Sequence, residues 1–287
     1  MRRTSVPSMR VDIGDGVRLY FDVEGLGLVP EGPVMVERPT IVYLHGGPGM
    51  DHSIYKTGEP NPLTDVAQCV YYDHRGNGRS DRRDASEWNL DMWADDVVRL
   101  CDALGIDHPI VFGASFGGFV AQRYLARHPE HPAKVILACT GARIDLDVME
   151  KAFTRFGGEI AGATARKFFA GDLSVMGDFL QHCMPLYSTE PVDPDTFARI
   201  MMNADVMSDF FPGEGQRMDL RAGLAAAQCP VLVLAGDADP VMPVEVGEEI
   251  QASLPGGRAR FEVLAGKSHF QVGDHTCAPL LTEFILS

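Results

Sequence analysis

Short apolar runs recur along the chain, and most are continuous rather than alternating. They are "TIVYLHG" (40–46), "CVYYDHRG" (69–76), "PIVFGAS" (109–115), "KVILACTG" (134–141), "CPVLVLAGD" (229–237) and "RFEVLAGKSH" (260–269). An unbroken apolar run is what a strand needs when both faces of a parallel sheet are covered. "VRLYFDVEG" (17–25) instead alternates, as a half-buried antiparallel strand would. The intervening stretches carry helical spacing. In "LDMWADDVVRLCDALG" (90–105), Met92, Trp93, Val97, Leu100 and Leu104 share one stripe, and Gly105 is a helix stop. "GGFVAQRYLARHP" (117–129) predicts a helix that ends before Pro129. Strand–helix–strand alternation of this kind predicts an α/β fold with a mostly parallel central sheet flanked by helices.

Residues 142–225 break the rhythm. They are rich in Met, Phe and acidic side chains and contain no clear strand signal. The pattern predicts a helical cap inserted into one α/β core, with residues 1–141 and 226–287 forming the core and 142–225 the substrate lid.

Composition narrows the function. The 287 residues carry a formal net charge of −15, which repels phosphate backbones and anionic membrane surfaces, so neither nucleic acid nor membrane is an expected partner. A small-molecule substrate is. No run of eighteen apolar residues is present, and Arg2 and Arg3 are not followed by the apolar stretch of a twin-arginine leader. The six cysteines (Cys69, Cys101, Cys139, Cys183, Cys229, Cys277) include no C-x-x-C pair and several lie in apolar runs. They read as buried free thiols of a cytoplasmic protein.

"GASFG" (113–117) places Ser115 in a G-x-S-x-G pattern between an apolar strand and a helix. A serine on a sharp strand-to-helix turn needs small residues on either side so that neighbouring chains can pass. Its hydroxyl becomes a nucleophile only if a base removes the proton. "LAGDADPVMP" (234–243) offers Asp237 and Asp239 after one strand, and "LAGKSHF" (264–270) offers His269 after the next. Of the nine histidines, His128 and His131 fall beside Pro129 and Pro132, which prevents a helical metal pair and predicts an exposed loop. His45 and His74 follow strands and are expected to support turns, and His275 lies beyond the last strand. "HGGPG" (45–49) is a glycine-rich turn whose N–H groups can approach a ligand. One of them, with the N–H of Phe116, would form a hole for the oxyanion of acyl transfer.

These segments together resemble the α/β-hydrolase fold family, and within it the proline-iminopeptidase-like branch. The resemblance rests on "HGGPGMDHSIY" (45–55), "YYDHRGNGRS" (71–80), "GASFGG" (113–118), "GDADPVMP" (236–243) and "GKSHF" (266–270). It spans the core blocks but not the inserted segment. It implies Ser115 as nucleophile, Asp239 rather than Asp237 as acid, His269 as base, and Gly47 and Phe116 as oxyanion donors. It implies a structural role for Asp73–Arg75. No metal and no organic cofactor is implied. Phe116 departs from the tryptophan common in that branch. The branch holds its substrate's free amine with cap carboxylates; Glu159, Asp205, Asp209 and Glu214 are the carboxylates available here.

The resulting expectation is a serine hydrolase of small esters, lactones or amides. The alternatives are a prolyl aminopeptidase, a perhydrolase or carbon–carbon bond hydrolase, and a non-catalytic binding protein on the same fold. Met202, Met207, Phe210 and Phe211 are the candidate substrate-binding residues of the cap, beside Met201, since their apolar surface suits acyl groups; taken residue by residue, packing of the cap against the core is the favoured reading of them.

Overall fold

The computed structural model describes residues 9–56, 60–192 and 194–287; Arg2 and Arg3 lie outside them. The chain forms β1 (Arg10–Asp12), β2 (Arg18–Glu24), β3 (Leu28–Glu31), β4 (Val34–Glu37), β5 (Thr40–Leu44) and β6 (Gln68–Tyr72). Then come α1 (Leu90–Leu104), β7 (Ile110–Ala114), α2 (Phe116–Arg127) and β8 (Lys134–Ala138). Helices α3 (Leu146–Phe169), α4 (Met176–His182), α5 (Pro194–Arg199), α6 (Ala204–Phe210), α7 (Glu214–Arg217) and α8 (Arg221–Leu224) follow without a strand among the described residues. The chain closes with β9 (Val231–Gly236), α9 (Val244–Ser253), β10 (Ala259–Leu264) and α10 (Ala278–Leu286).

Eight strands form one sheet in the order β1-β2-β6-β5-β7-β8-β9-β10. β2 pairs antiparallel with β1 and β6, and every pairing from β6 to β10 is parallel. The continuous apolar runs account for this. β7, β8 and β9 are buried on both faces, one packing against α1 and α2 and the other against α10. The hairpin of β3 and β4 is a separate two-stranded sheet. Its strands, and the three-residue β1, carry no apolar alternation strong enough to be read from the sequence; Leu28, Val34 and Met35 are exposed.

Helix α1 is capped as its sequence predicts. Asn89 accepts the Met92 N–H, and Gly105 ends the helix at φ 67°. α2 starts directly after Ser115. Helix α3 contains a non-helical Gly158 that kinks it. All six cysteines are free and buried. Among the described residues, no helix is long and apolar enough to cross a membrane.

Candidate active site

The site lies where the parallel strands end. β7 leads straight into Ser115, whose backbone has φ 53° and ψ −119°. Such a conformation costs about 1–3 kcal/mol in a non-glycine residue, and the surroundings hold it. The Ser115 N–H donates to Ala138 O at 3.0 Å, and its carbonyl accepts from Gly118 N–H and Thr140 Oγ1, both at 2.9 Å. The flanking glycines are required by contact. A Cβ on Gly117 would lie 2.0 Å from Leu44 O, and one on Gly113 would lie 2.5 Å from Gly117 O. Ser115 is half-buried.

After β10, His269 turns its Nε2 to Ser115 Oγ at 3.0 Å and its Nδ1 to Asp239 Oδ2 at 2.8 Å. Asp239 follows β9, and its other oxygen accepts the Val241 and Met242 N–H groups at 2.8 and 3.0 Å. Its carboxylate is thereby fixed as an acceptor for Nδ1–H, which leaves Nε2 free to take a proton from the serine. His269 and Asp239 are 5 % and 1 % exposed, so the ion pair formed on proton transfer is shielded from water. Asp237 faces elsewhere and accepts the Gly266 N–H at 2.7 Å, a turn contact.

The glycine-rich turn after β5 is held from three sides. His45 accepts the His74 N–H on Nε2 at 3.1 Å, so its proton lies on Nδ1 and donates to Gly46 O at 2.7 Å. The C=O and N–H of one planar trans peptide point in opposite directions. Fixing Gly46 O therefore fixes the direction of the Gly47 N–H. Phe116 is the first residue of α2, so its N–H has no intrahelical acceptor. Burial lowers the pKa of His45 and takes that of His74 well below the ordinary value, so both rings are neutral. His74 has no hydrogen bond to either ring nitrogen. It packs instead as an aromatic ring among His45, Tyr72 and Phe116.

The Asp73–Ser80 turn braces the same loop. Asp73 accepts from the His52 N–H at 3.0 Å, its Nδ1 at 2.6 Å and the Arg79 N–H at 2.7 Å. Burial raises the Asp73 pKa, but the hydrogen bond and charge of His52 outweigh it, and the net shift is downward. Asn77 Oδ1 accepts the Gly49 N–H at 2.8 Å. Arg75, 1 % exposed, is bidentate on Asp96 and also bonds Glu87. Asp73–Arg75 thus touches the loop and α1 rather than the serine. Sequence reading did not single out Asn77, Asp51 or His52; their signal was only their place within two quoted motifs.

The helical segment meets the site at two places. Ser268 Oγ donates to Leu186 O at 2.6 Å, and Thr189 donates its N–H to Gln271 Oε1 at 3.0 Å and its Oγ1 to Gly266 O at 3.0 Å. The edge of Tyr187 meets His269 with ring centroids 5.1 Å apart, and Phe270 contacts both Tyr187 and Phe197. On the other side, the Asn203 N–H donates to Gly49 O at 2.7 Å and the Met201 N–H to Asp51 Oδ1 at 3.3 Å.

Of the two readings open for Phe210 and Phe211, packing is the one their burial matches, and the exposed loop expected at His128 and His131 is corrected. Phe210 and Phe211 are 1 % and 5 % exposed and pack in the core. Phe210 sits 5.1 Å from the Phe116 ring and 6.2 Å from Trp93, and Phe211 rests on Phe168 and Phe169. Phe210 seats the segment on α1 and α2, and Phe211 packs within the segment against α3, which is the usual fate of an apolar helix face. Met207 is also buried against this core, whereas Met202 is 47 % exposed. His128 and His131 are half-buried, not exposed: His128 bonds Asp95 at 2.7 Å and His131 bonds Tyr124 OH at 2.5 Å.

Among the described residues, no three or more His, Cys, Asp or Glu side chains cluster as a metal site would need. A cleft of about 670 Å³ beside Glu24, Arg38, Lys56 and Asn61 includes none of the three residues of the serine–histidine–aspartate chain.

Comparison with known proteins places the geometry. Residues 39–276 match the family model described as alpha/beta hydrolase fold. The proline iminopeptidase PfmaB of Pestalotiopsis fici is 27 % identical over 225 residues, covering 73 % of this chain and 78 % of that protein. The 2-hydroxymuconate semialdehyde hydrolase of a Pseudomonas strain is 27 % identical over 288 residues, covering 95 % and 92 %. The crystal structure of a proline iminopeptidase from Mycobacterium smegmatis superposes with a TM-score of 0.71 at 22 % identity, covering 96 % and 94 % of the two chains.

Proposed function

The chain belongs to the α/β-hydrolase fold family, and from that premise we propose that it is a serine hydrolase of small carboxylic esters, lactones or amides. The observation that carries this reading is the continuous hydrogen-bonded chain from Ser115 Oγ through His269 to Asp239, at 3.0 and 2.8 Å. Ser115 Oγ attacks the substrate carbonyl carbon while His269 Nε2 takes its proton. Asp239 holds the imidazolium that forms. The Gly47 and Phe116 N–H groups receive the oxyanion. The tetrahedral adduct then expels the leaving group, which takes the proton from His269. Water, deprotonated by His269, attacks the acyl-enzyme, and collapse of the second adduct returns Ser115 with its proton. Residues 142–225 act as the cap over this site, which they meet at Leu186–Thr189 and at Met201–Asn203.

Esters are preferred over N-terminal prolyl amides. An aminopeptidase must pair its substrate's ammonium, because a charge without a partner in an apolar site is costly. Glu159, Asp205 and Asp209 are exposed, and Glu214 Oε2 is engaged by the Leu90 N–H at 2.8 Å. Asp51, nearest the glycine-rich turn, is bonded by Arg79, Ser53 and the Met201 N–H. What faces His269 from the cap is aromatic: Tyr187 meets its ring, and Phe197 rests on the neighbouring Phe270.

The second reading is a prolyl aminopeptidase, favoured by the similarity to proline iminopeptidases. The test has two arms. A fluorophosphonate adduct mapped by mass spectrometry should fall on Ser115; labelling elsewhere refutes the mechanism. Values of kcat/KM for a p-nitrophenyl ester series are then compared with prolyl-p-nitroanilide and its N-acylated form. Efficient cleavage of the free prolyl anilide, with the blocked one spared, would transfer the assignment to an aminopeptidase.

A further inference from the structure

We infer that Asn203 is a positioning residue, through which the cap holds the oxyanion loop in its working conformation. This rests on the reading of Ser115 as nucleophile and of the Gly47 N–H as an oxyanion donor.

Gly49 lies two residues after Gly47. Its N–H is held from the core by Asn77 Oδ1 at 2.8 Å. Its C=O is held from the cap by the Asn203 N–H at 2.7 Å. The approach is close enough that a Cβ on Gly49, whose φ is 90°, would lie 2.4 Å from Asn203 O. The loop is therefore gripped on both faces at one residue, by one asparagine from each part of the molecule.

The Asn203 side chain secures the cap half of that grip. Nδ2 donates to Gly76 O at 2.7 Å, in the turn that also carries Asn77. Oδ1 accepts from Arg82 Nη1 and the Asp205 N–H, each at 3.3 Å, and the latter caps α6. Asn203 is 4 % exposed, so these bonds form in a shielded setting where an amide's two ends have distinct partners. One residue, through its backbone N–H and its side chain, thus ties a cap helix, the Asp73–Ser80 turn and the oxyanion loop into a single unit. If the grip loosens, the Gly47 N–H drifts from where the oxyanion develops. That harms the transition state more than the bound ester, whose carbonyl carries little charge.

The donor and acceptor ends separate this role from simple helix capping. Asn203→Asp keeps an acceptor for the Asp205 N–H but has no donor for Gly76 O. Asn203→Ala loses both. For a p-nitrophenyl ester, both variants are expected to lower kcat about 10- to 100-fold, with KM changed less than about threefold. The rate of fluorophosphonate labelling at Ser115 should fall in parallel. Wild-type kinetics in Asn203→Asp with a defect in Asn203→Ala would mean a helix cap only, and overturns the inference. So does unchanged kcat in both, or loss of the folded core in both, which would make Asn203 a scaffold residue. If the wild-type protein is neither labelled at Ser115 nor active on any ester, the hydrolase reading has failed instead. Labelling of wild type and variants at equal rates removes only the role of Asn203.

Discussion

The strand ends of the core and the helical segment between β8 and β9 reach the same site by different physical means. Ser115 follows directly on β7, and Asp239 and His269 lie three and five residues past the ends of β9 and β10, whose backbones are locked in register. Such positions are defined by many cooperative hydrogen bonds, and one substitution does not shift them. The helical segment is seated by rings such as Phe210 and touches the site through a few individual bonds, at Leu186–Thr189 and Met201–Asn203. On the proposed reading, chemistry belongs to the strand-anchored part, and substrate choice to the part that sequence change can re-aim without dismantling the sheet.

The sharpest way to break this contrast is at the elbow. Ser115→Ala should abolish ester turnover, by about 10⁴-fold or more, while the denaturation midpoint stays near that of the wild type. Residual activity near the wild-type level would move the chemistry elsewhere. Next is the aspartate pair. Asp239→Asn should cost about 10⁴-fold in kcat, as loss of the orienting carboxylate does in other triads. Asp237→Asn, which removes only a turn contact, should cost less than about tenfold. The reverse ranking in folded variants contradicts the assignment.

The seat of the segment is tested by stability rather than rate. Phe210→Ala should destabilise by about 3–5 kcal/mol, the cost of emptying a buried aromatic site. A urea titration reads this directly, and a change below about 1 kcal/mol would mean that the segment does not depend on Phe210.

A smaller effect comes from the buried histidines beneath the oxyanion loop. His45 and His74 have lowered folded pKa values. Below about pH 6.5 the unfolded chain binds protons that the fold refuses, so stability is full above that pH and falls as the pH drops. Each histidine contributes a slope of at most about 1.4 kcal/mol per pH unit. His74→Phe should shallow the fall between about pH 6.5 and 5.5 by up to that amount. A slope identical to wild type would show that His74 is not held neutral.

The smallest effect is expected in the cap itself. Phe197 rests on Phe270 with a ring separation of 5.7 Å and is partly exposed. Phe197→Ala should alter the ranking of acyl chain lengths by less than about tenfold, within the range one apolar contact commands. Labelling of Ser115 should be unaffected. A loss of labelling in this variant would erase the distinction between the two regions.

Much of this was legible in the residues alone. The apolar runs marked the central strands because burial on both faces leaves no polar positions. Gly105 and Pro129 marked the ends of two helices through backbone restrictions that act locally. The elbow was readable because the crowding at Gly113 and Gly117 leaves room only for glycine. The β3–β4 hairpin was missed because it has little core to face, and its exposed Leu28, Val34 and Met35 carry no alternation. Phe210 and Phe211 stayed open between substrate contact and packing because an apolar stripe looks the same whether it faces a ligand or the core.

By itself, then, the sequence determined the order of the central strands and the helices between them, the strained serine turn and the donors and acids present. Local sterics and periodicity act over a few residues, and a few residues are what a sequence displays. Which carboxylates are engaged elsewhere, and that Asn203 grips a glycine 154 positions before it (203 − 49), were decided only in three dimensions. Each of those facts depends on distant segments arriving at one point, and it is the buried sheet and the seating of the helices that bring them there.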